Sequence, residues 1–144
     1  MTEIAFHFNL PDKTAYVCRL LRKAVAQGAR VAVSGDEALM ADLDKALWSF
    51  SATDFVPHCS AGSISAIVDA SPVVLGVQAI AAPHHDVLLN MADQVPEGFE
   101  RFNRVIEVVG DGDQDRFMSR RRWKHYQDRG YSIVRHDLAR KESD

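Results

Sequence analysis

Short apolar stretches alternate with longer amphipathic stretches along most of this chain, and this alternation limits the possible folds more than any other feature. Residues 4–8 alternate in the manner of a strand, and a helical pattern then runs over 13–27 until Gly28 ends it. A second apolar strand at 30–33 precedes a second helical pattern that ends near Trp48. Strands that alternate with helices of this length predict an α/β fold in which helices pack on the faces of a mostly parallel sheet.

The strand pattern becomes less regular after the second helix. Residues 51–71 form a connecting region in which the sequence does not define a strand. Phe99 and Phe102 follow a turn and are expected to cover an edge of the core. Runs of apolar and β-branched residues favour strands further along the chain. These predicted strands are 73–77, 86–90, 105–109 and 131–135.

One helix, predicted over 113–130, concentrates positive charge. It contains six Arg or Lys and three Asp, although the whole chain has a net charge of −3. At 100° per residue, Arg116, Arg120 and Lys124 share one narrow sector, and Trp123 lies beside it. A cationic sector on an acidic protein predicts an anionic partner that binds at one place. The alternative is that these cations only solvate an exposed helix face, which is the usual explanation for a run of charges.

Length and composition predict one ordinary globular domain spanning residues 1–144. The chain has 144 residues, of which 47% are hydrophobic, so it is long enough for one well-formed core. No run of apolar residues is long enough for a membrane span, and the N-terminus lacks the pattern of a signal peptide. We therefore expect a cytoplasmic protein without a membrane partner. Cys18 and Cys59 have neither a metal-binding spacing nor a disulfide framework, and we expect reduced thiols.

The patterns that could indicate catalysis or a cofactor are poor matches. Gly110-Asp-Gly112 precedes a helix, but neither a third Gly nor a Gly-Lys-Ser/Thr follows, and nearby Asp residues would repel a phosphate. The six His residues are adjacent or scattered and are expected in turns and on the surface. Cys59 follows His58, yet sequence adjacency is not the geometry of a catalytic triad. We expect no catalytic residues, no metal and no cofactor.

Two separated blocks of the chain carry distinctive residues in a fixed order. The first contains Ala46-Leu-Trp48, Phe55-Val-Pro-His58 and Gly62. The second runs from Val105 through Arg120-x-Arg122-Trp123-Lys124-x-Tyr126 to Gly130-Tyr131. Together the two blocks resemble the chi subunit family of the bacterial DNA polymerase III holoenzyme. The resemblance extends over most of the chain and is weakest between about residues 60 and 100.

The resemblance implies an accessory protein of the polymerase clamp loader that has no enzymatic activity. Its implied fold is a Rossmann-like three-layer α/β sandwich, with helices on both faces of a mostly parallel central sheet. Members of that family bind the psi subunit on one side and the acidic C-terminal tail of single-stranded-DNA-binding protein, which ends in Phe, on the other. Trp48 and Phe55 match the aromatic positions that face psi. Five residues match the positions that bind the tail: Val109, Arg116, Arg120, Trp123 and Lys124.

The residue types on the basic helix suit such a tail. A terminal carboxylate pairs well with a guanidinium group, a terminal ring needs an apolar slot, and the preceding acidic residues need further cations. Arg116, Arg120 and Lys124 supply the cations on adjacent turns, beside Trp123. We expect weak binding that decreases as salt is added.

Two other functions remain open at the level of sequence. The same basic helix could bind nucleic acid directly, although the negative net charge and the few aromatic residues on that face argue against it. An α/β enzyme acting on a small phosphorylated ligand is the third possibility, because this fold class supports many activities.

Overall fold

A computed structural model describes residues 1–49, 56–76 and 78–139 of the chain. These ranges contain seven strands and four α-helices. The strands are β1 (Glu3–Leu10), β2 (Val31–Ser34), β3 (His58–Ser60), β4 (Val73–Leu75), β5 (Val87–Asn90), β6 (Arg104–Gly110) and β7 (Ile133–Asp137). The helices are α1 (Lys13–Ala26), α2 (Glu37–Ser49), α3 (Ser65–Ala70) and α4 (Asp113–Asp128), and two short 3₁₀ turns cover Ala79–Ala81 and Phe99–Arg101.

The seven strands form one sheet in which every pairing is parallel. Their order is β3-β4-β2-β5-β6-β1-β7. The pairing of β1 with β7 sets Phe6 opposite Arg135, and the pairing of β1 with β6 sets His7 opposite Val108. The prediction of a Rossmann-like α/β fold with a mostly parallel sheet is therefore confirmed.

The two faces of the sheet carry separate apolar cores. Val17 and Leu21 of α1 and Leu43 of α2 pack against one face. Tyr126 of α4 belongs to the core on the other face, together with Phe99 and Phe102, which precede β6 and are also buried. This arrangement produces the three layers of the predicted sandwich.

The two edge strands, β3 and β7, differ from the strands predicted for those parts of the chain. The connecting region contains β3 and α3, which the sequence did not reveal because a strand of three residues is too short to show an alternating pattern. The last strand begins at Ile133 rather than at Tyr131. The N–H of Tyr131 donates to the carbonyl of Tyr126, so this residue still belongs to the turn that ends α4.

A break in regular geometry near the end of β1 positions the candidate site. The register between β1 and β6 shifts between His7 and Leu10, and Asn9 within this interval has a φ of 62°. Asn tolerates this left-handed conformation better than most residues. The irregularity lies where β1 approaches the start of α4.

Candidate partner-binding site

The basic helix begins and ends with defined contacts. Its first turn includes Asp115, whose carboxylate accepts a hydrogen bond from the N–H of Gly110 and lies 3.1 Å from Nζ of Lys13. An acidic group in the first turn also interacts favourably with the helix dipole. After the last turn, Gly130 adopts a φ of 79°, as a left-handed C-terminal glycine does. The helix predicted over 113–130 therefore matches α4 closely.

One side of α4 is held to the sheet by a buried polar network. Nε of Arg122 lies 2.8 Å from Oε1 of Glu107, and the hydroxyl of Tyr126 donates to Oε2 of the same carboxylate at 2.6 Å. The side-chain amide of Asn90 donates to both carboxylate oxygens at 3.0 Å. Burial raises the pKa of Glu107, whereas Arg122 and the hydrogen bonds lower it. The network determines which side of α4 faces away from the sheet.

A cleft of about 600 Å³ lies between α4 and strands β1, β6 and β7. Its lining combines apolar rings with arginines. The lining residues are Phe6, Phe8, Asn9, Val109, Arg116, Ser119, Arg120, Trp123 and Arg135. Four of the five residues predicted to bind an acidic tail line this cleft.

The apolar wall of the cleft is formed by aromatic rings. The indole of Trp123 lies against Phe6, with ring centroids 5.1 Å apart. Val109 is buried at the end of β6 and contributes to the same lining. Rigid rings beside a buried aliphatic residue form a slot of the kind that accepts an apolar or aromatic side chain.

Three guanidinium groups give the cleft its positive charge. Nη2 of Arg116 donates to Oδ1 of Asn9 at 3.1 Å. Arg120 is exposed, and no hydrogen-bond or ion-pair partner for it occurs within the described ranges. Arg135 lies over two aromatic rings. Because none of the lining residues is a carboxylate, the cleft suits an anion.

Lys124, the fifth predicted tail-binding residue, does not line the cleft. It lies one turn beyond Arg120, where its Nζ is 3.2 Å from Oδ2 of Asp128. The Lys124 side chain is 75% exposed. An ion pair this exposed contributes little free energy, so it does not hold the ammonium group in place.

Of the two residues predicted to face psi, Trp48 lies within the described part of the chain. Trp48 is 64% exposed in the last turn of α2, and its ring lies 5.6 Å from that of His58 in β3. Phe55 lies outside the described residues. Ile64 and Ile67, at the start of α3, are also exposed.

Sequence reasoning missed five residues of the cleft, namely Phe6, Phe8, Asn9, Ser119 and Arg135. The alternation of Phe6, His7 and Phe8 does indicate that both Phe rings share one face of β1. No comparable signal identifies Arg135, because its proximity to Trp123 depends on β7 pairing with β1.

His84 lies in the predicted turn before β5 rather than on the surface. Its ring is buried, and neither ring nitrogen has a hydrogen-bond partner among the described residues. The described residues contain no group of three or more His, Cys, Asp or Glu side chains that could hold a metal ion. No helix in the described part of the chain is both long enough and apolar enough to cross a membrane.

Comparison with known proteins identifies the same family over most of the chain. Residues 1–134 match the family model described as DNA polymerase III chi subunit, HolC. The chain is 35% identical over 124 residues to a Pseudomonas aeruginosa protein named DNA polymerase III subunit chi, and the match covers 85% of this chain and 84% of the relative. Proteins of the same name from Escherichia coli and Haemophilus influenzae are 28% and 25% identical, over 119 and 120 residues. Each of these two matches covers 81% of this chain and at least 80% of the relative.

Proposed function

Because the chain belongs to the family of DNA polymerase III chi subunits, we propose that it is a non-catalytic accessory subunit that connects the clamp loader with single-stranded-DNA-binding protein. In this proposal the cleft beside α4 binds the acidic C-terminal tail of that protein. The observation that carries the proposal is the combination of three guanidinium groups with an aromatic slot in one cleft.

The chemistry of the cleft favours a tail that ends in Phe over other anions. The ring enters the slot between Trp123 and Val109, and the arginines pair with the terminal carboxylate. A hydrogen bond to a charged group contributes about 1.5–3 kcal/mol, and a buried ring contributes about 2 kcal/mol. Association costs several kcal/mol, so we expect affinity in the micromolar range.

Lys124 has a supporting role in this proposal. Because it lies one turn beyond Arg120 and outside the cleft, it is suited to the acidic residues that precede the terminal Phe. Its exposed pair with Asp128 exchanges readily with a carboxylate of the tail.

The exposed Trp48 supports a second proposed interface, with psi. A large aromatic side chain that is mostly exposed is typical of the residues that dominate protein–protein interfaces. Trp48 contacts His58 of β3, which forms the edge of the sheet opposite β7. Both partners can therefore bind at the same time, as a connecting subunit requires.

Titration calorimetry with a synthetic tail peptide tests the proposed cleft. We expect Arg120→Ala to weaken binding about tenfold or more, because the variant removes an unpaired guanidinium that faces the cleft. Arg121→Ala is the matched control, since Arg121 is an exposed neighbour on α4 that does not line the cleft. Wild-type affinity should decrease between low and high salt.

Three results would contradict the tail-binding proposal. They are an absence of heat with the wild-type protein, equal binding by Arg120→Ala, and equal losses in Arg120→Ala and Arg121→Ala. A gel shift with bare single-stranded DNA tests the alternative of direct nucleic-acid binding. If the chain bound DNA tightly without the binding protein, that alternative would replace ours.

A further inference from the structure

The three arginines of the cleft come from two different elements, α4 and β7. Arg116 and Arg120 belong to α4, whereas Arg135 lies on the edge strand and is paired in register with Phe6. The cleft therefore has guanidinium groups both on the helix and on the sheet. An anion between them would be contacted from two sides.

Arg135 is held by aromatic rings rather than by carboxylates. The centre of its guanidinium lies 5.4 Å from the ring centroid of Phe8 and 5.5 Å from that of Trp123. Guanidinium groups stack well on such rings, and stacking leaves their N–H donors available around the edge of the plane. Among the described residues, no hydrogen bond or ion pair occupies those donors.

We propose that Arg135 binds the terminal carboxylate of the partner's tail, and this inference rests on the proposed function of the cleft. The last residue of such a tail carries its ring and its carboxylate on the same Cα. A ring that enters the slot beside Trp123 therefore brings the carboxylate close to the guanidinium that stacks on that indole. Arg135 selects for an anionic chain end, since an aromatic side chain within a chain has no carboxylate at this point.

The test compares two peptides and three proteins by fluorescence anisotropy. Both peptides are acidic and end in Phe; one has a free terminal carboxylate, and the other has an amidated terminus. The proteins are wild type, Arg135→Gln and the control Arg121→Gln. We expect Arg135→Gln to weaken binding of the free-acid peptide about 5- to 20-fold. Binding of the amidated peptide should weaken by less than about twofold. Arg121→Gln should bind both peptides as the wild type does.

The outcomes separate this inference from the proposed function. If Arg135→Gln bound the free-acid peptide like the wild type, and Arg120→Ala lost binding in the calorimetric experiment, Arg135 would not belong to the site, although the tail-binding cleft would stand. Equal losses for the two peptides would also overturn the inference, because Arg135 would then act on acidic side chains. If the wild type bound neither peptide, the proposed function itself would fail. Thermal unfolding of Arg135→Gln should stay within a few degrees of the wild type, because the side chain is exposed and the variant loses only its stacking on two rings.

Discussion

Neighbouring arginines on α4 have opposite environments, and this difference between single residues determines the charge of the cleft. Arg120 is exposed and lines the cleft, whereas Arg122 is buried and pairs with Glu107. Both arginines contribute to the positive charge of α4 in the sequence. Of the two, only Arg120 is available to a partner. The charge of Arg122 is balanced within the core.

At this residue scale, Arg122→Ala should destabilise the fold by about 3–5 kcal/mol. The substitution leaves the buried carboxylate of Glu107 without its cation, and the remaining donors, Tyr126 and Asn90, do not replace that charge. Urea denaturation followed by circular dichroism measures the change. Arg121→Ala should stay within about 0.5 kcal/mol of wild type. Comparable losses in both variants would show that the buried pair has no special role.

His84 should make the stability of the protein depend on pH. Burial, followed by the charge of Arg30, lowers the pKa of His84 below its ordinary value of 6.5. The unfolded chain therefore binds a proton at this residue more readily than the folded chain does. Relative to a His84→Leu variant, wild-type stability should be constant above about pH 6.5 and should decrease as pH falls below it. Denaturation between pH 5 and pH 8 measures both proteins, and parallel curves would contradict the prediction.

At the scale of elements, the two sides of α4 have different roles: one attaches the helix to the sheet, and the other lines the cleft. Arg122 and Tyr126 fix it to the sheet, so that Arg116, Arg120 and Trp123 line the cleft. A helix that could rotate about its axis would not keep an aromatic slot and a guanidinium in register. The buried network is therefore a structural requirement of the proposed site.

A close contact between the two 3₁₀ turns provides an element-scale prediction. Gly98 has a φ of 90°, and an added Cβ would lie 2.8 Å from Cα of Ile80. Gly28 has a similar φ of 81° but no heavy atom within 4 Å of such a Cβ. Gly28→Ala should cost about 1–2 kcal/mol from backbone strain alone, whereas Gly98→Ala should cost about 2–5 kcal/mol. Thermal and urea denaturation distinguish the pair, and equal losses would mean that the turns separate without cost.

At the scale of the whole molecule, charge and topology separate the two proposed interfaces. The net charge is −3, yet three arginines meet at one cleft near the β7 edge of the sheet. The exposed Trp48 lies near the β3 edge, and five other strands separate β3 from β7 in the sheet. A subunit with partners at opposite edges can connect them without competition between them.

The sequence by itself determined the fold class and much of the proposed site. Alternating strand and helix periodicities are local properties of the chain, and they predicted a largely parallel sheet with helices on both faces. The same local periodicity grouped Arg116 with Arg120 beside Trp123, because residues three and four apart share a helix face. Resemblance to the chi family added Val109, which also lines the cleft.

Only the tertiary structure decided which cations face the partner and which belong to the core. Arg135 approaches Trp123 because β7 pairs with β1, and Arg122 is buried because Glu107 of β6 lies beneath α4. Lys124 shares the periodicity of Arg120 but lies beyond the end of the cleft. Strand order and the depth of a side chain in the core depend on contacts between distant parts of the chain, which local periodicity does not contain.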